Sequence, residues 1–114
     1  NLRRFGVGWE ATDEAIALLR PQGPSEALGM TLYRIAHHHM LARHGQRAFT
    51  HIEEARQVAA EIDSEELNWL VLMMTGCIHV VLGDAHEGIR LLRESVSRAE
   101  ALGDPRLLAI GLSM

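Results

Sequence analysis

Apolar residues recur along this chain at intervals of three and four, in blocks of about ten to twenty residues. The blocks are separated by Pro21-Gln22-Gly23-Pro24, Arg43-His44-Gly45, Ile62-Asp63-Ser64, Gly83-Asp84 and Gly103-Asp104-Pro105. No segment keeps the strict alternation of a half-buried strand. The pattern predicts helices near 10–20, 25–43, 46–61, 65–82, 85–102 and 105–114, an all-α chain of about six helices. Residues 1–8 show no clear period and read as a lead-in.

The helix ends have local causes. Asp84 followed by Glu87 has the form of a capping box, in which the Asp accepts from an orphan amide and the Glu reaches back. Asp104 precedes Pro105, whose φ is already helical and which has no amide to satisfy. Ser64, followed by Glu65 and Glu66, places a cap and two carboxylates at the positive end of a helix dipole. Gly83 and Gly103 stand where a helix C-terminus turns left-handed.

Loops this short between helices this long force neighbours to lie antiparallel. The hairpins also repeat. Ala36 and Gly76, His39 and His79, Ala48 and Gly88, Ile52 and Leu92, Ala55 and Ser95, Leu32 and Leu72, and Ile62 and Leu102 are each 40 positions apart. The expected units are 1–24, a lead-in and the second helix of a partial repeat; 25–63 and 64–104, two full repeats; and 105–114, the first helix of an incomplete one. Ile110, Leu112 and Met114 have no later helix to pack on, which suggests a piece of a longer protein or a last helix that packs against another copy.

Small residues in the first helix (Ala36, Gly76), at the opening of the second (Ala48, Gly88) and later in it (Ala55, Ser95) resemble the tetratricopeptide pattern. Large residues at Leu32 and Leu72, and at Ile52 and Leu92, complete it. The physical sense is that slim side chains let the two helices of a hairpin approach closely while large ones fill the gap to the next. The period of 40 exceeds the usual repeat of about 34. Histidine (His39, His79) stands where the family carries an aromatic, and a closing proline occurs only as Pro105. In these respects the chain is similar to the longer, degenerate repeats of bacterial signal-transduction ATPases, including large LuxR-type transcriptional regulators. The resemblance implies hairpins stacked as a superhelical solenoid, and a module for protein interaction or ligand sensing within a regulator.

Composition narrows the chemistry. The 114 residues carry a net charge of −4, and all 11 basic residues are Arg, with no basic stripe of the kind that neutralises phosphates. Direct nucleic-acid binding is therefore not expected. No stretch is apolar for long enough to span a bilayer, and neither a secretory segment nor a disulfide (Cys77 is alone) is suggested, so a cytoplasmic location is the expectation.

His37-His38-His39 cannot converge on one metal, because consecutive helical residues point about 100° apart and none of the three has a histidine partner at the fourth position onward. A site shared by His39 and His79 would lack further ligands; packing roles for these two and a solvated His38 are the simpler reading. No Walker-type loop or nucleophile–base motif occurs, and Cys77 has no activating neighbour. The chain is expected not to be an enzyme and to need no cofactor or metal.

If Leu72, Thr75, Gly76 and His79 face the paired helix, Met73, Cys77 and Val80 occupy another face, with Tyr33, His37 and Met40 as their equivalents one repeat earlier. In tetratricopeptide-like stacking these six would line a concave groove, apolar apart from a phenol and an imidazole. An apolar helix, a peptide or a neighbouring domain of the same polypeptide suits it. The alternative is a structural segment whose exposed faces drive dimerisation.

Overall fold

The computed structural model describes residues 2–106, with side chains described from Ala11 onward. The described residues form α1 (Leu2–Leu19), a short 3-10 turn (Arg20–Gln22), α2 (Glu26–Leu41), α3 (Gly45–Ile62), α4 (Glu65–Val81) and α5 (Ala85–Leu102), with no strand among them. Four of the expected helices lie close to their expected bounds. α1 begins eight residues earlier than expected. Leu2, Phe5 and Trp9 do fall at helical spacing, but Gly6 and Gly8, each costing about 1 kcal/mol in a helix, hide the pattern. The helix expected at 105–114 lies outside the described residues beyond Arg106.

Each joint between helices is a specific hydrogen-bonded turn. At the end of α2 the amides of Ala42, Arg43 and His44 donate to the carbonyls of His38, Met40 and His39 at 3.0, 3.0 and 2.8 Å. At the end of α4 the amides of Leu82, Gly83 and Asp84 donate to Ile78, Val80 and His79 at 2.9, 3.1 and 2.8 Å. These are Schellman motifs, and every bond recurs 40 residues later. The left-handed position is Gly83 (φ 92°) in the second turn but Arg43 (φ 64°) in the first; α3 ends similarly through Asp63 at φ 54°. In each case the residue closing the turn, His44, Ser64 or Asp84, is also the N-cap of the next helix.

Ser25 and Ser64 accept from the amides of Leu28 and Leu67 at 3.1 and 3.2 Å, as N-caps should. Asp84 accepts from Glu87 N at 3.3 Å, but the capping box is only half made. The Glu87 carboxylate turns instead to Arg90, at 2.6 and 2.8 Å, and Asp84 N is already taken by His79 O.

The two hairpins, α2/α3 and α4/α5, are the most extensively packed pairs, and α4 also packs on both α3 and α2. Gly76 and Gly88 meet across α4/α5 so closely that a Cβ on Gly88 would lie 2.7 Å from the Gly76 carbonyl oxygen and 2.6 Å from Val80 Cγ2. Two turns further along, Trp69 Nε1 donates to Ser95 O at 2.6 Å. A step of seven residues back along α4 thus matches seven forward along α5, which fixes the antiparallel register. The equivalent positions of α2/α3, Ala36, Ala48 and Ala55, are fully buried. Gly29 stands 40 residues before Trp69, and the room beside it is taken by Leu67 of α4 and Val58 of α3.

Most of the core lies among α1, α2, α3 and α4, around Leu32, Ile35, Ile52, Leu67, Met74 and Ile78. A smaller cluster of Trp69, Leu70, Met73 and Ala99 binds α4 to α5, with Met30 and Tyr33 bridging the two. α1 is held by Ile16 and by Arg20, whose guanidinium grips Glu54 of α3 at 2.6 and 2.8 Å.

Gly88→Ala separates packing from propensity. Helix propensity alone favours alanine by about 1 kcal/mol. The contact with the Gly76 backbone predicts a net loss of about 1–3 kcal/mol in chemical denaturation. Ala48→Leu is expected to cost a similar amount, whereas Ala42→Leu, at an exposed position, leaves the midpoint nearly unchanged.

Candidate functional site

The packing of α4 on α2 brings Tyr33, His37 and Cys77 together on the α2–α4 side. Tyr33 and His37 are one turn apart with ring centroids 6.5 Å apart, and all three residues are half-buried. Burial pushes the Tyr33 hydroxyl above its ordinary pKa, and the nearby Cys77 acts in the same direction. Burial raises the Cys77 thiol and lowers the His37 imidazole, the latter helped by His38. The three polar groups are thereby held in their neutral forms. This surface is suited to an apolar partner that needs a hydrogen bond or two, and its thiol is not activated as a nucleophile.

The other three residues expected in the groove lie elsewhere. Met73 is fully buried in the α4/α5 cluster, and Met40 lies in the main core at 8% exposure. Val80 is exposed, with Cγ2 against the position of Gly88 at the α4–α5 seam. An unbranched apolar residue can serve a surface or a core equally well, so spacing alone could not assign the two methionines.

One concavity was not anticipated. It lies over α4 between α3 and α5, with a volume of about 460 Å³, an apolar floor that includes Trp69, Leu72 and Leu102, and Arg56, Asn68 and Arg98 among its polar residues. Glu65, Asn68 and Leu72 form its stripe on α4 at helical spacing, a signal present in the sequence. Arg56 and Arg98 are engaged by Glu53 and Glu94 of their own helices, at 3.2 and 3.0 Å.

The histidines sort by partner. His38 is exposed. His39 is buried, 5% exposed, and stacks on His51 of α3 with centroids 5.2 Å apart, while His44 closes against it at 5.8 Å. His79, half-buried, meets the edge of Phe49 and has Nδ1 3.9 Å from Asp84 Oδ2. His39 and His79 therefore face different neighbours. Among the described residues no group of three or more His, Cys, Asp or Glu side chains could hold a metal ion. The triad of His39, His44 and His51 escapes local reading because two of its members lie across the hairpin; the seven-residue step from His44 to His51 was its only sequence signal.

No helix among the described residues is long and apolar enough to cross a membrane. No protein-family profile, characterised protein or solved structure matches the chain.

The half-buried position and raised pKa of Cys77 have a direct consequence. At neutral pH its alkylation by iodoacetamide should be about tenfold or more slower than that of a free thiol, and should accelerate on unfolding. A rate equal to that of free cysteine would contradict the placement of this residue.

Proposed function

We propose that the chain is a non-catalytic scaffold of tetratricopeptide-like hairpins, holding a protein or peptide partner, or a neighbouring domain of the same polypeptide, within a bacterial LuxR-type regulator. The observation that carries this reading is the recurrence of one hairpin, turn bonds included, at a spacing of 40 residues, with α4 packed on both helices of the preceding pair. The neutral Tyr33–His37–Cys77 surface supports an apolar helix as the occupant. A scaffold of this kind signals when a partner binds one arrangement of its repeats better than another.

A specific observation favours a second reading, self-association. On α5, Ile89, Leu92 and Val96 form an apolar stripe at helical spacing beside a shallow depression. Ile89 is 46% exposed.

Sedimentation velocity over a wide concentration range, combined with binding of an amphipathic helical peptide selected by display, distinguishes the two. The scaffold reading expects a monomer whose affinity for the peptide falls tenfold or more in His37→Glu and is unchanged in Ile89→Glu. A concentration-dependent dimer abolished by Ile89→Glu, with no peptide selected, would replace it with self-association.

A further inference from the structure

The two hairpin turns share one backbone and carry opposite chemistry. In a Schellman turn the side chain that closes the turn lies against the residue five positions back. In the second hairpin these are Asp84 and His79, with a carboxylate oxygen 3.9 Å from the ring nitrogen. In the first they are His44 and His39, ring against ring at 5.8 Å, with His51 stacked on His39 at 5.2 Å and 23°. Where the second turn joins opposite charges when its histidine is protonated, the first would join like charges.

We propose that the His39–His44–His51 cluster makes the α2/α3 hairpin an acid-sensitive joint, which loosens as pH falls through the histidine range while the α4/α5 hairpin stays closed. Among the described residues, the groups that act on the His39 ring include His44 at the N-cap of α3, Arg47 and His51 within α3, and Asp13 of α1. Asp13 is the one of these that favours a charged ring. Glu54 lies near His51, but its carboxylate is held by Arg20. His51 Nδ1 is bonded to the Arg47 carbonyl at 2.8 Å, which holds that ring in its stacked position. A proton added at His39 therefore enters a buried site where two imidazoles and a guanidinium oppose it and the Asp13 carboxylate favours it, with the opposing side the larger.

The sign follows from linkage. Burial, then the neighbouring rings and Arg47, lowers the affinity of His39 for a proton in the folded chain. Below the ordinary histidine value of about 6.5 the unfolded chain takes up more protons than the folded one, so stability falls with pH in that window. At neutral pH and above the contribution vanishes. The device works through the turn because the amide of His44 donates to the carbonyl of His39, so separation of the rings strains the bond that closes α2 at the N-cap of α3.

His44→Asp gives the first turn the acidic partner of the second, at an exposed N-cap where aspartate is intrinsically favoured. Thermal midpoints between about pH 7.5 and 5 should fall in the wild type, by about half as much or less in His44→Asp, and likewise less in His51→Gln. His86→Gln, an exposed histidine on α5, should leave the wild-type slope. Amide protection supplies a local readout that folding defects do not mimic. On acidification protection at His44 should drop while protection at Asp84 holds. Parallel slopes in all variants, or equal loss of protection at both turns, would overturn the proposal.

Discussion

Everything in this fold depends on how close two helices can come. The backbone of α5 passes Gly76 at a distance that leaves no room for a single carbon on Gly88, and Ala36, Ala48 and Ala55 are fully buried at the matching positions of the other hairpin. Such contacts stabilise by dispersion and by removing apolar surface from water, at about 25 cal/mol per Å². They leave little freedom in the crossing of the helices, so the larger residues fall into fixed places: Leu67 over Gly29, and Trp69 with its indole tied to Ser95.

The joints extend that constraint. A turn that closes a helix with a left-handed residue and opens the next with the residue that follows leaves no slack in the connection. The two hairpin turns share their hydrogen bonds and differ in their side chains. The same backbone sets a carboxylate against His79 and two imidazoles against His39. A chain built in this way can differ in chemistry between its two hairpin turns while keeping the same turn bonds.

The parts of the structure legible in the sequence are those with local causes. Ser64, Asp84, Gly83 and Gly103 announce their roles because capping and left-handed turns select for those residues. Arg43 does not, since its left-handed φ is imposed by the turn and not by the residue. The start of α1 was obscured by two glycines within it. The six residues expected on one face did not share one exposure. Tyr33, His37 and Cys77 have polar groups that keep them near the surface, while Met40 and Met73 follow whichever neighbour covers them. The histidine cluster depends on the register of α2 against α3, which no local pattern states.

The most direct measurement of the central claim is proton–proton proximity in solution, by nuclear Overhauser spectroscopy of the folded chain. The account predicts strong cross-peaks between the α-protons of Gly76 and Gly88 and between the methyls of Ala36 and Ala48. Absence of both, with those residues open to solvent paramagnetic relaxation, would contradict it.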